Sequence, residues 1–242
     1  MRRVARLLEE GAKPERIMVV TFTRTAAYDL EQELKKLAVP GVDRIVHGTL
    51  HSYCFSVLVK DRVFDITRRV ARPLLDFEER LLVEDLNHKE RFGDVHERKQ
   101  HIEALAAAWA REQEDVPGVL GDTDRLVQEQ LLRWLEFHDA LLLAELVPLT
   151  LRYLTSNPGR ADRYQFDHVL VDEYQDWNVA EQHLIDLLSE NGTLTVVGDE
   201  DQSIYEDFRY AHPEGISQFH ITHLNTHDEP LEECRRCPTR VV

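Results

Sequence analysis

Apolar positions change period several times along this chain. Val4, Leu7 and Leu8 recur at helical spacing and Gly11 supplies a stop, so residues 2–10 read as a helix. The β-branched, apolar run RIMVVTFT (16–23) reads as a buried strand. TAAYDLEQELKKLA (25–38) returns to a period near 3.6, with Thr25 as the cap and Ala26, Leu30, Leu34 and Leu37 as the apolar stripe. Pro40 and Gly41 end it. RIVHGTLHSYCFSVLV begins as a short strand and turns near Gly48 into a helix from about Thr49.

Residues 60–165 have another texture. They are rich in Leu, Ala, Glu and Arg and poor in β-branched runs, which predicts helices over about 76–90, 96–112, 122–138 and 139–155. EQEDVPGVLGD interrupts two of them, and SNPGRADRYQ (156–165) is a turn-rich linker out of the block. Strand character then returns in DHVLV (167–171). NVAEQHLIDLLSE (178–190) is a helix with Ala180, Leu184, Leu187 and Leu188 inward, Asn191-Gly192 turns the chain, and TLTVV (193–197) is the next strand. Strand, helix and strand within about 30 residues make a βαβ unit, hence a parallel sheet. The expected fold is therefore α/β, with strand-rich ends bracketing a mostly helical insert.

Length and composition fit that picture. The 242 residues suffice for one large domain or two small ones. No stretch approaches the run of about 18 apolar residues that a membrane helix needs, and MRRVARLLEEGAKPER lacks the apolar centre of a signal peptide. Three cysteines (Cys54, Cys234, Cys237) argue against a disulfide scaffold and fit a reducing cytoplasm. The net charge of −16 argues against a small, basic, sequence-reading DNA module, because phosphate contacts dominate such binding. A motor that grips nucleic acid in a local groove stays open.

Candidate chemistry lies at the ends of the two late strands. VLVDEYQDWN carries an apolar run onto Asp172 and Glu173, and VVGDEDQSIY carries the next one onto Gly198, Asp199 and Gln202. Parallel strands deliver their C-terminal residues to the ligand edge of a sheet. An Asp there can hold Mg²⁺ and the next residue can orient a water, while a neutral Gln can sense a γ-phosphate. The plainer reading of either cluster alone is a polar strand end entering a turn. Two of them on adjacent strands favour a site.

These segments resemble motifs II and III of the UvrD/Rep family of superfamily 1 ATP-dependent DNA helicases, in VDEYQD and GDEDQSIY. Others agree in order: VVTFTRTAAYDL resembles motif Ia, HGTLHSYC the family's GTFHSxC, and LEECRRCPTRVV motif IV. The resemblance implies a RecA-like sheet of the phosphate-loop NTPase lineage. It divides the chain into a first motor domain (1–56 and 165–228), an inserted helical subdomain (57–164) and the start of a second motor domain (229–242). It makes Asp172 the Mg²⁺ ligand, Glu173 the base that activates water, Gln202 the γ-phosphate sensor and Arg236 a further phosphate contact. It places Phe22, Tyr205 and Phe208 against single-strand bases, Thr49 and His51 on the DNA backbone, Thr23 among the DNA-binding residues, and Arg209 between the DNA and ATP sites. The implied cofactors are Mg²⁺ and ATP. The implied partners are single-stranded DNA and single-strand/duplex junctions, with 3′-to-5′ movement in repair or recombination.

There are departures. Tyr205-Glu206-Asp207-Phe208-Arg209 is one residue longer than the family pattern, Arg24-Thr25 replaces Asn-Lys, Cys234-Arg235-Arg236-Cys237 replaces Asn-Tyr-Arg-Ser, and Trp177 stands where the family has Thr and receives no role. The phosphate-loop pattern G-x-x-x-x-G-K-[ST] is absent, since none of the six lysines follows a glycine. Relative to the family, the chain begins just after that loop and ends just after motif IV. The expectation is a fragment of a helicase, inactive alone and completed by the missing portions or a complementing chain. The alternative is a degenerate paralogue acting as a nucleic-acid or protein-binding module. The family's phosphate-loop strand would lie beside TLTVV, so that strand is expected to form an exposed edge prone to self-association. Trp109 and Trp134 read as core. A zinc site from Cys234, Cys237 and the nearby His220, His223 and His227 is set aside for motif IV.

Overall fold

A computed structural model describes residues 1–37, 39–60, 64, 68–70, 72–86, 89–159, 161–202 and 210–229, with the backbone alone at 89 and 90. Its centre is a four-stranded, fully parallel sheet. Helix α1 (Arg2–Glu9) leads through a 3₁₀ turn into β1 (Ile17–Thr21), then α2 (Arg24–Lys36), β2 (Val46–Thr49) and α3 (Leu50–Leu58). The middle of the chain forms α4 (Asp76–Asp85), α5 (Lys89–Phe92), α6 (Val95–Ala110), α7 (Asp122–Phe137) and α8 (Leu146–Ser156). Then come β3 (His168–Val171), α9 (Val179–Ser189), β4 (Thr193–Val196) and the short helices α10 (Glu214–Ser217) and α11 (Phe219–Thr222).

The strand order is β2-β1-β3-β4. In-register partners are Val19 with His47 and Leu170, and Leu170 with Thr195. All five residues of β1 are buried, because helices cover both faces of the sheet. Side-chain alternation divides them. Met18 and Val20 join Val169 and Val171 under α3, α8 and α9, whereas Ile17 and Val19 join Val4, Leu7 and Leu34 under α1 and α2. β4 is an edge among the described residues, and Val197 after it is 48% exposed.

The helix expected over 76–90 ends at Asp85 and the short α5 follows it; the other predicted elements match within a few residues, with three further differences. The cap of α2 is Thr23, whose hydroxyl accepts from the Ala26 N–H at 3.1 Å; Thr25 already lies inside the first turn. Thr23 has the extended backbone that a cap needs (φ −112°, ψ 155°). The helix expected over 139–155 is a 3₁₀ turn at Leu143–Glu145 followed by α8. α8 itself belongs with the sheet: Leu146, Val147, Leu149, Leu151, Tyr153 and Leu154 are buried in the same core as α3 and β3. The insert has its own core, built on Leu105, Ala108 and Trp109 of α6 and Val127, Leu131 and Leu135 of α7. Those α7 positions recur every four residues, as a packed helical stripe requires. Trp109 is buried as expected, and Trp134 packs at the margin with its indole N–H on Asp85 at 2.8 Å.

A buried ion pair marks the junction. Arg69 meets Glu145 through two bonds of 3.0 and 2.8 Å, and also donates to the Ala140 carbonyl. Glu145 in turn accepts from the Leu142 N–H at 3.0 Å. Both side chains are nearly excluded from solvent.

Candidate nucleotide and nucleic-acid site

Strand order locates the site. From β1 the chain moves outward to β2, and from β3 it moves to β4 on the other side. Such a reversal opens a crevice at the C-terminal ends of the two central strands. Phe22 follows β1 there and Asp172 follows β3, with the Asp172 N–H donating to the Val20 carbonyl at 3.0 Å.

Past β3 the backbone does something unusual. Glu173 adopts φ 53° and ψ 48°, the left-handed region. For a non-glycine residue this costs about 1–2 kcal/mol, so the surroundings must hold it. They do so at several points. The Tyr174 N–H donates to the Val197 carbonyl at 3.0 Å, and the Trp177 indole N–H donates to the Asp172 carbonyl at 3.0 Å. Residues Tyr174–Asp176 form a 3₁₀ turn that buries Tyr174, Gln175 and Asp176.

Gln175 joins the two acidic clusters. Its Nε2 donates to Glu173 Oε2 at 2.9 Å, and its Oε1 accepts from the Asp199 N–H at 3.0 Å. Asp199 then accepts from Gln202 Nε2 at 2.6 Å through one oxygen and from the Asp201 N–H at 3.1 Å through the other. A continuous chain of hydrogen bonds therefore runs Glu173–Gln175–Asp199–Gln202. The Gln175 amide donates to a carboxylate with its nitrogen and accepts from a backbone N–H with its oxygen, which an acceptor-only carboxylate in its place could not do. Gly198 permits the close approach, because a Cβ there would lie 2.4 Å from Gln175 Oε1 and 3.0 Å from the Tyr174 nitrogen.

Electrostatics at this edge are uneven. Asp172, Asp199 and Gln202 are exposed. Asp176 is 7% exposed, and its Oδ1 has no hydrogen-bond partner. Burial, assisted by the charge of Glu173, pushes its carboxyl up to about 6. Mg²⁺ keeps several waters and takes one or two carboxylates. An exposed Asp172 fits that demand, and among the described residues no group of three His, Cys, Asp or Glu side chains forms a closed metal cage.

The residues expected on DNA are spread along the same edge. Phe22 is half-buried, with its ring edge-on to Trp177 at 6.0 Å and 68°. Thr23 caps α2, and Thr49 caps α3 in a reciprocal box with Ser52. His51 Nδ1 lies 3.7 Å from Glu181 Oε1, within the capping box of α9. Cys54 is buried, and burial pushes its thiol up to about 12, so it serves as core and not as a nucleophile. Tyr205, Phe208, Arg209 and Arg236 lie outside the described residues, as do Cys234 and Cys237. His223 is engaged elsewhere: its ring stacks on Phe219 at 3.9 Å and its Nε2 meets Asp186 at 3.0 Å.

Sequence reasoning missed Gln175, Asp176 and Trp177. They lie in and just after a 3₁₀ turn that follows neither the strand nor the helix period, so burial could not be read from spacing. A signal for Gln175 was present, in that it sits between two carboxylates in EYQD.

The parallel sheet, with linked acidic and amide clusters at adjacent strand ends, places the chain in the α/β class. The sequence matches the UvrD/REP helicase N-terminal domain over residues 1–223, and the chain belongs to that family. ATP-dependent DNA helicase PcrA of Bacillus subtilis is 31% identical over 258 aligned residues, which take in 99% of this chain and 34% of that protein. PcrA of Staphylococcus aureus is 29% identical over 84% of this chain and 29% of its own length. ATP-dependent DNA helicase Rep of Buchnera aphidicola is 29% identical over 84% of this chain and 33% of its own length. The chain thus spans about a third of the length of these relatives.

Proposed function

We propose that this chain is part of an ATP-dependent motor that moves 3′ to 5′ on single-stranded DNA, acting at single-strand/duplex junctions in cytoplasmic DNA repair or recombination. The hydrogen-bonded chain from Glu173 through Gln175 and Asp199 to Gln202 carries this reading. It joins the residue suited to take a proton from water to the residue suited to feel the γ-phosphate. Asp172 would hold Mg²⁺, which neutralises charge on the phosphate oxygens when bound. Glu173 would orient and deprotonate the attacking water, and Gln202 would donate to the γ-phosphate oxygen, with Arg236 adding positive charge. Loss of the γ-phosphate would free the Gln202 amide, and Gln175 would pass that change to Glu173. Phe22, Tyr205 and Phe208 offer faces on which any base can stack, Thr23, Thr49 and His51 suit backbone phosphates and sugars, and Arg209 would link the two sites.

The 242 residues contain no phosphate-loop lysine, and hydrolysis needs backbone N–H groups and such a lysine around the phosphates. The chain alone is therefore expected to release no phosphate in response to DNA, and to regain activity with a segment that supplies the loop. The same absence favours a second reading, a non-catalytic module that binds nucleic acid or protein. Labelled oligothymidylate separates the two. Salt-sensitive binding that weakens at least tenfold in Phe22→Ala supports the motor, whereas a stable protein complex without DNA affinity supports the module. The β4 edge is proposed as a self-association surface, to be checked by sedimentation at high concentration.

A further inference from the structure

Trp177 is the largest side chain that this core buries almost completely, and it touches both halves of the site. Its indole N–H donates to the Asp172 carbonyl at 3.0 Å, and its ring meets Phe22 edge-on at 6.0 Å. Its own carbonyl is fixed by Gln182 Nε2 and by the His212 N–H, each at 2.9 Å. A tryptophan has only two side-chain torsions, so an indole held at both ends behaves as a strut. The end at Asp172 matters most. That carbonyl shares one planar peptide group with the Glu173 nitrogen, and Glu173 is the residue held in the left-handed region. The indole bond therefore fixes the plane from which both carboxylates leave the chain.

We propose that Trp177 is a positioning residue that couples Phe22 to the Asp172–Glu173 peptide, so that a base stacking on Phe22 re-aims the two carboxylates of the nucleotide site. The roles of Phe22 and Asp172 rest on the function proposed above. The coupling itself is a property of this chain, and it can be read without nucleic acid or metal.

The test is ¹⁵N–¹H NMR of residues 1–242. Loss of one indole signal in Trp177→Phe assigns that signal. Phe22→Leu should move both the indole signal and the Glu173 backbone amide by more than a linewidth. In a Trp177→Phe background, where ring contact persists without the N–H donor, Phe22→Leu should leave the Glu173 amide in place. Equal displacement in both backgrounds, or none in either, overturns the coupling. A second measurement leaves position 177 untouched: exchange of the Trp177 indole proton should be at least tenfold faster in Phe22→Leu, and unchanged exchange overturns the coupling as well. Oligothymidylate then tests the earlier reading separately. Binding that moves the indole signal supports both, and binding that leaves it still overturns the coupling. An absence of binding removes the DNA role alone, and the substitutions still decide the coupling.

Discussion

The helical insert and the C-terminal edge of the sheet are built on opposite terms. In the insert, periodicity, propensity and packing agree: Val127, Leu131 and Leu135 recur at one helical face and all three are buried. Asp94 caps α6 with two backbone N–H bonds, and Glu97 answers it in a reciprocal box. At the sheet edge the rules conflict. Glu173 is left-handed, Asp176 is a buried carboxyl with an idle oxygen, and Gly198 sits where no side chain fits. Conflicts of this kind concentrate where function requires them, since strain persists only if the surroundings over-determine it. The contrast teaches which substitutions should harm the fold and which should relieve it.

The largest effect is expected at the junction of the two regions. Glu145→Ala strands the Arg69 guanidinium in a buried setting and should destabilise the protein by about 3–5 kcal/mol, measured by denaturant unfolding. A loss below about 1 kcal/mol would show that the pair is solvated. Next comes Gly198→Ala. The new methyl group would press on Gln175 and on backbone, so a loss of about 1–3 kcal/mol is expected, together with faster hydrogen exchange at the Asp199 amide. Normal exchange there would deny that Gln175 needs the close approach.

Asp176→Asn should act in the other direction, on the order of 2 kcal/mol of stabilisation above pH 6. The carboxyl titrates near 3.8 when unfolded and near 6 when folded, so the fold holds its proton more tightly. Stability from this group is complete below 3.8, declines as pH rises through the window, and is gone above 6. The advantage of the Asn variant should therefore vanish in acid, and a pH-independent gain would point to some other cause. Smallest is Glu173→Gly, expected to stabilise by up to about 1 kcal/mol by relieving the left-handed backbone, although the side chain proposed as base is lost. A clear loss of stability would mean that the Gln175 bond outweighs the strain.

The same contrast governs what could be read from the sequence. Strands β1, β3 and β4 and helices α2, α3 and α9 were legible because their apolar periods are long and undisturbed. Asp172, Glu173, Asp199 and Gln202 were legible as strand ends. α8 was not assigned to the sheet core, because its sequence looks like the helices of the insert and only tertiary contact separates them. The α2 cap slipped by two residues because Thr23 and Thr25 offer the same hydroxyl and only the backbone conformation decides between them. Trp177 was opaque for a related reason: its meaning lies in a bond to a main-chain oxygen five residues back, which composition does not encode.

The β1–β3 pairing has a consequence for how the molecule is made. Arg16 and Asp167, which clasp each other at the start of those two central strands, are 151 positions apart. During synthesis, β1 can meet β2 early, but it leaves the ribosome long before β3 exists. The insert is built from near neighbours in sequence and can settle first, while one edge of the buried, mostly apolar β1 waits for β3. Closing so long a loop is slow, and a waiting strand of this kind invites wrong partners. The architecture that places Asp172 beside Val20 thus leaves the β1–β3 seam to close late, and makes it the part of the sheet most in need of protection until it does.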